Sequence, residues 1–106
     1  MKVAFMANWG IGREAVAALN ANPAVDIVMV VTLWDDNTLD GWRNCVRDFC
    51  IEAGVPVQHG AVWSMPRLAA YLREETDLMV VHAWPKMLPR TVFDAPSLGS
   101  VNIHPS

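Results

Sequence analysis

The sequence has few charges, few cysteines and no long apolar run. Charged residues make up 18% of its 106 positions, and 11 acidic against 8 basic side chains leave a net charge of −3. Nucleic acids and anionic membranes are bound by clustered positive charge, so this balance favours neither as a partner. The longest apolar run, from Ile27 to Trp34, is interrupted by Thr32 and is far shorter than the roughly 20 residues that cross a bilayer. We therefore expect a cytoplasmic protein that does not bind membranes.

Only two cysteines are present, Cys45 and Cys50. They lie on one predicted helix, where their spacing points the side chains in different directions, so a bridge between them would need distorted geometry. They do not form a Cys-x-x-Cys unit, which leaves redox or zinc chemistry as the weaker alternative. The sequence predicts two reduced, mostly buried thiols in a cytosolic protein.

What the sequence does contain is apolar: hydrophobic residues make up 53% of it, enough for one domain with a core. Residues 27–32 and 78–81 form continuous apolar and β-branched runs, which are typical of strands covered on both faces in a parallel sheet. Segments in which apolar residues have helical spacing lie between such runs. Ser64 is predicted to start one helix and Gly54 to end another. The second predicted helix has an inner face made of Leu39, Trp42, Val46, Phe49 and Ala53.

The order of these segments predicts an α/β fold, a doubly wound and mainly parallel Rossmann-like sheet with helices on both faces and strand order 3-2-1-4-5. Residues 1–106 are expected to form one domain, with the first helix starting near Gly12. The last strand, residues 100–104, would be an apolar outer strand that leaves the sheet incomplete at that edge. Because exposed apolar edges pair with other strands, we expect either a homodimer through this strand or a continuation that covers it.

Ligands of open α/β sheets bind beyond the carboxyl ends of the strands, which directs attention to three loops. Asn102 and His104 lie on the last strand and project from one face because they are two positions apart. An amide donor beside an imidazole can polarise a carbonyl, stabilise an oxyanion and move a proton. An ordinary strand-end histidine beside a turn-forming asparagine is the alternative, since Asn-x-His alone is a weak motif.

The loop after the first strand is a candidate substrate-binding site made of Asn8, Gly10, Gly12 and Arg13. Backbone N–H groups at a helix start could hold an anion there, and Arg13 could face a phosphate. A tight turn with a solvated arginine is the equally weighted alternative.

Two further polar groups are expected to be without function. Asp35, Asp36 and Asp40 follow the second strand and are interpreted as a solvated acidic loop rather than a metal site. His59 is expected to lie at the surface without a partner. We therefore predict no metal site.

Several segments in order resemble the formyltransferase family. They are Asp77–His82, then Leu88-Pro89, then Leu98-Gly99 followed by Asn102-Ile-His-Pro-Ser106, with Gly54-Val-Pro-Val57 upstream. The resemblance implies transfer of a formyl group from 10-formyltetrahydrofolate to an amine. It implies that Asn102 donates a hydrogen bond to the formyl oxygen and that His104 assists at the tetrahedral intermediate. It also implies that the folate's pterin ring is held by Trp84, Lys86, Met87, Leu88 and Phe93, for which ordinary core packing of the apolar members is the alternative.

The chain departs from the family pattern in three places. The family's catalytic aspartate lies downstream of Ser106, so we expect a truncated chain that is inactive alone. His82 and Trp84 stand where many members have Ala-Tyr-Gly, which affects the folate pose. The family's tRNA-acting branch tends to have a basic loop after the second strand, so the acidic loop here favours a small-molecule amine, such as a sugar-nucleotide, over nucleic acid. A non-catalytic Rossmann-like domain that binds a nucleotide or self-associates is the alternative function.

Overall fold

In the part of the chain that the structure describes, five parallel strands and four helices alternate, as the apolar runs predicted. The computed structural model describes residues 1–103. The elements are β1 (Lys2–Ala7), α1 (Trp9–Asn20), β2 (Asp26–Thr32), α2 (Cys45–Ala53), β3 (Val57–His59), α3 (Met65–Glu75), β4 (Leu78–His82), α4 (Arg90–Phe93) and β5 (Ser100–Ile103), with one 3-10 turn at Gly60–Val62. The sheet order is β3-β2-β1-β4-β5, which confirms the predicted Rossmann-like topology.

Two apolar layers cover the two faces of the sheet, because neighbouring residues of a strand point to opposite sides. Along β1, Val3 and Phe5 face α1 and α2, whereas Ala4 and Met6 face α3 and α4. All four of these side chains are buried. The continuous apolarity of the central strands is therefore explained by helices on both faces.

The predicted helix boundaries are confirmed where local chemistry fixes them. The Ser64 hydroxyl accepts a hydrogen bond from the backbone N–H of Arg67 (3.3 Å), with Pro66 in the first turn of α3. Gly54 ends α2 in the left-handed conformation at φ 73°, where a glycine has no Cβ to clash. Pro56 precedes β3, which is an edge strand as its proline predicted.

Two predicted helix starts are wrong. Helix α1 begins at Trp9, earlier than Gly12, and α2 begins only at Cys45, so Leu39 and Trp42 lie outside it. Leu39 is fully exposed. The cause is local competition: side-chain oxygens of Asp35, Thr38 and Asp40 each accept a hydrogen bond from a backbone N–H two positions later, at 2.9, 3.1 and 3.0 Å. Such turns give the backbone an alternative to the helix.

The two cysteines differ in burial. Cys50 is fully buried, which raises the pKa of its thiol to about 12, while Cys45 is half-buried and free like Cys50. Strand β5 is the outer strand, as predicted, with Val101, Asn102 and Ile103 exposed. Among residues 1–103, no helix has the length and apolarity needed to cross a membrane.

Candidate active site

A cleft of about 670 Å³ lies at the carboxyl ends of β1, β4 and β5. This is the edge where open α/β sheets bind ligands. The cleft brings together every residue that the resemblance assigned to the folate, namely Trp84, Lys86, Met87, Leu88 and Phe93, and it also contains Asn102. Trp9, Val81, Ala83, Pro85 and Arg90 complete its lining.

The segment after β4, residues 83–89, forms one wall and is held by packing; we call it the β4 loop. The Trp84 indole lies so close to the backbone of Gly60 that a Cβ there would be 3.0 Å from the ring and 3.0 Å from Leu33 Cδ2. Leu88 packs against the apolar layer on the α3 side of the sheet, as does Phe93. Leu88 and Phe93 thus contribute to the core and to the cleft at once.

The rim of the cleft is different in character. Met87 is 97% exposed, and Lys86 is exposed beside it. Arg90 forms an ion pair with Asp94 (Nε to Oδ2, 3.1 Å), whereas Lys86 has no ion pair among the residues that the structure describes. The cleft therefore has apolar walls and a cationic rim.

Asn102 reaches the cleft because of strand register. It pairs with Val81 of β4, and residues paired across parallel strands project from the same face of the sheet. Both residues line the cleft. His104, its predicted catalytic partner, lies outside the described residues, so the geometry of the pair stays a prediction.

Asn8 connects three strand ends. Its Oδ1 accepts hydrogen bonds from Thr32 Oγ1 (3.0 Å) and the backbone N–H of Leu33 (2.9 Å), and its Nδ2 donates to the carbonyl of Ala83 (3.0 Å). Asn8 is only 2% exposed. These bonds use both lone pairs of the oxygen and one of the two amide hydrogens, so little of this carboxamide remains for a substrate.

His82 is buried against the same strand end. Its Nδ1 lies 3.2 Å from the carbonyl oxygen of Asn8, and the Asn8 N–H donates to the His82 carbonyl at 3.3 Å. Because a carbonyl only accepts, Nδ1 carries the proton in this arrangement. His82 thus holds β4 to the end of β1.

The other predicted substrate-binding residues lie in the first turns of α1. A Cβ at Gly10 would be 2.4 Å from the Trp42 ring, and one at Gly12 would be 3.2 Å from Ala7 Cβ, so both glycines allow close packing. Arg13 forms an exposed ion pair with Glu14 (3.3 Å). Substrate binding by these residues stays a prediction.

A second, smaller pocket of about 180 Å³ adjoins the cleft and was not predicted from the sequence. Trp9 and Pro85 line both spaces, and Asn8, Leu33, Trp34, Asp35 and Arg43 complete the smaller one. The sequence did contain an indication of this pocket, because Trp9 and Trp34 each lie within two positions of the end of a strand, at the edge where ligands bind. Tertiary contact alone brings the two indoles together.

His59 and the acidic loop are more ordered than predicted. His59 Nε2 lies 3.2 Å from the carbonyl oxygen of Trp34, its Nδ1 accepts from the Ala61 N–H (2.9 Å), and its ring meets the Trp34 indole edge-on at 4.8 Å. The prediction that His59 has no partner is therefore wrong, because β3 pairing places it beside a loop distant in sequence. Asp36 is ion-paired with Arg47 at 2.7 Å. In residues 1–103 no cluster of three metal-ligating side chains occurs.

Comparisons with known proteins identify relatives of one kind. The chain is 36% identical to the methionyl-tRNA formyltransferase of Thiobacillus denitrificans over 98 residues, covering 87% of the chain and 32% of the relative. It is 30% identical over 112 residues to that of Ruminiclostridium cellulolyticum, and 32% identical over 110 residues to that of Dehalococcoides mccartyi. These two alignments cover 100% of the chain and 35% of each relative. No protein-family model matches the chain.

The relatives overturn one prediction from the sequence. Their names specify a tRNA acceptor, so the expectation of a small-molecule amine acceptor and no nucleic acid is wrong. That expectation was based on the net charge of −3 and on the acidic loop. The chain spans about a third of the length of these relatives, and the charge of that third does not measure the surface a whole protein offers to phosphates. Over the positions it covers, the chain is a formyltransferase-family sequence that corresponds to the N-terminal part of these relatives.

Proposed function

We propose that this chain forms the donor-binding part of a formyltransferase that uses 10-formyltetrahydrofolate and an aminoacyl-tRNA acceptor. The observation that carries the proposal is the cleft at the carboxyl edge. It gathers the residues that the family resemblance assigned to the folate and adds Asn102 beside them. Four of the folate residues come from the β4 loop and Phe93 comes from α4, whereas Asn102 belongs to β5 and is brought beside them by the pairing of β5 with β4.

We call this cleft the donor cleft, and it fits the proposed donor in size and in chemistry. Its volume of about 670 Å³ is within the range of roughly 300–1,000 Å³ typical of small-molecule sites. Leu88 and Phe93 offer apolar surface to a flat heterocycle, and the backbone of the β4 loop offers polar groups to its edge. Lys86 on the rim is a suitable partner for the carboxylates of the donor's glutamyl tail.

Asn102 is the residue that we propose acts on the formyl group, since it lines the cleft. In formyl transfer the acceptor nitrogen bonds to the formyl carbon and the bond from that carbon to the donor nitrogen breaks. The amine loses a proton, and the departing donor nitrogen gains one. An Asn102 amide hydrogen donated to the formyl oxygen would stabilise the negative charge that develops there. We assign the proton transfer to His104. The family's catalytic aspartate would lie downstream of Ser106, as the resemblance implies.

The acceptor would approach from the side of the smaller pocket. This pocket shares Trp9 and Pro85 with the donor cleft and has Arg43 in its lining. The first-turn N–H groups of α1, at Gly10 to Gly12, lie at the same edge and could meet a phosphate of the acceptor, with Arg13 one position further. The relatives' names support tRNA as that acceptor.

The test is a titration of the isotopically labelled chain with 5-formyltetrahydrofolate, a stable donor analogue, followed by amide chemical shifts. We expect shifts concentrated in residues 83–93 and at Asn102. Replacing Met87 by alanine should weaken binding about threefold to tenfold, since an apolar side chain at the rim is lost. Leu39→Ala is the matched control, because Leu39 is equally exposed but lies outside the cleft.

Two results would count against the proposal. One is a folded spectrum that does not change with the folate. The other is a response to adenosine triphosphate at the same residues with no response to the folate, which would favour the alternative of a nucleotide-binding domain.

A further inference from the structure

Asn8 lies at the end of β1, between the ends of its two neighbours β2 and β4, and its carboxamide bonds to both of them. Oδ1 faces the β2 end through Thr32 and Leu33, and Nδ2 faces the β4 end through Ala83. We propose that Asn8 is a positioning residue that sets the shape of the donor cleft through Ala83, rather than a substrate contact. The proposal rests on the proposed function in one respect, namely that the cleft takes the folate donor.

The backbone conformation at this point supports the proposal. Among the described residues, only two that are not glycine have positive φ angles, Trp9 at 64° and Ala83 at 53°. Ala83 directly follows β4 and Trp9 lies two positions after β1, and both residues line the cleft. Left-handed backbone at residues with a Cβ is unfavourable and persists where surrounding contacts hold it. The bond from Asn8 Nδ2 to the Ala83 carbonyl is such a contact.

The backbone conformation of Ala83 determines the direction in which the following residues of the β4 loop leave the strand. Ala83 precedes Trp84, whose indole packs against Gly60 and forms a wall of the cleft. Asn8 itself lines the smaller pocket and not the donor cleft. An effect of the Asn8 carboxamide on donor affinity is therefore indirect, and its bond to the Ala83 carbonyl leads directly into the β4 loop.

The two ends of the carboxamide give a sharp test. Asn8→Asp keeps an acceptor for Thr32 and Leu33 but replaces the donor to Ala83 with an oxygen facing a carbonyl. Thr32→Val removes the hydroxyl donor on the β2 side and leaves the bond to Ala83. We expect Asn8→Asp to weaken 5-formyltetrahydrofolate binding about tenfold, and Thr32→Val by less than about twofold.

Two controls separate positioning from stability. Ser64→Ala removes the cap of α3, a hydrogen bond to Arg67 that does not involve Asn8, and should lower the thermal midpoint without changing the folate Kd. If Asn8→Asp does not fold, Ala83→Gly is used in its place to test the role of the Ala83 backbone. Glycine suits the positive φ at this position, so the thermal midpoint should change little while the folate Kd rises about threefold, because the β4 loop becomes less constrained.

Equal losses of affinity in Asn8→Asp and Thr32→Val, or wild-type affinity in Asn8→Asp or in the substitute Ala83→Gly, would overturn the proposal. If the wild-type chain does not bind the folate, the proposed function fails, and the positioning role is then decided in the free protein. There the amide shifts of Ala83 and Trp84 should move in Asn8→Asp and stay in Thr32→Val. Unmoved shifts in Asn8→Asp would refute the positioning role.

Discussion

Two loops leave the same edge of the sheet and are stabilised in opposite ways. The β4 loop is held mainly by side-chain packing, with Trp84 against Gly60 and with Trp84 and Leu88 against the apolar layer on the α3 side. The segment after β2, residues 33–44, is the β2 loop. It is held mainly by hydrogen bonds, including two between Asn44 and the backbone of Asp35 at 2.9 and 3.0 Å. A packed loop loses stability when side-chain volume is removed, whereas a hydrogen-bonded loop tolerates loss of its exposed apolar groups.

The largest expected difference between the loops concerns their tryptophans. Trp84→Ala should lower the free energy of unfolding by about 2–3 kcal/mol, below the full cost of a buried ring because Trp84 is partly exposed. Trp42→Ala should cost less than about 1 kcal/mol, since Trp42 is 57% exposed in the β2 loop. Urea unfolding of the two variants checks this, and similar losses in both would show that the β2 loop is packed as well.

A smaller difference is expected when a methyl group is added at two glycines. Gly60→Ala places a Cβ 3.0 Å from both the Trp84 ring and Leu33 Cδ2, two side chains that are partly buried. We expect a loss of about 1–2 kcal/mol and weaker folate binding, because the Trp84 wall must move.

Gly10→Ala is the matched variant and makes the shorter contact, 2.4 Å from the Trp42 ring. That ring is half exposed and can turn into water, and alanine favours the helix over glycine by about 1 kcal/mol. We expect a change within about 0.5 kcal/mol. Thermal unfolding of the pair decides the point: a larger loss at Gly10 than at Gly60 would contradict the contrast between the loops.

The smallest effect is at the opposite, amino edge of the sheet, away from both loops. The backbone N–H of Lys2 donates to Asp77 Oδ2 at 2.8 Å, and this bond lowers the pKa of the Asp77 carboxyl. Because the pKa is lower in the folded than in the unfolded chain, the carboxylate stabilises the fold at neutral pH, and this stabilisation is lost as the pH falls below about 4. Asp77→Asn should therefore flatten the acid limb of the stability profile. Glu74→Gln is an exposed control on α3, and equal flattening in it would refute the assignment to Asp77.

The strand order was predictable because it depends on patterns that are local or periodic. Continuous apolar runs predicted the central strands, Pro56 predicted an edge, and Ser64 and Gly54 predicted helix boundaries. The start of α2 was not predictable from apolar spacing. The oxygens of Asp35, Thr38 and Asp40 compete for backbone N–H groups, and this competition outweighs the helical period of Leu39 and Trp42.

The five residues assigned to the folate were predicted by family resemblance and not by spacing, and their function stays a proposal. The acceptor was predicted wrongly from charge, because net charge over a third of the relatives' length reports little about phosphate contacts elsewhere. The role of Asn8 was beyond prediction, since the sequence does not show which strand ends its carboxamide meets.

By itself, the sequence determined the alternation of strands and helices, the two-sided burial of the central strands and the edge position of β3 and β5. These follow from hydrophobic period, from proline and glycine geometry and from crossover length, all of which act within short stretches of chain. Only the tertiary structure decided that Trp9 lines two adjoining pockets, that His59 meets Trp34, and that Asn8 joins β2 to the β4 loop. The hydrogen bonds of His59 and Asn8 join residues 24 to 75 positions apart, and parallel pairing of distant strands, rather than any local preference, brings them together.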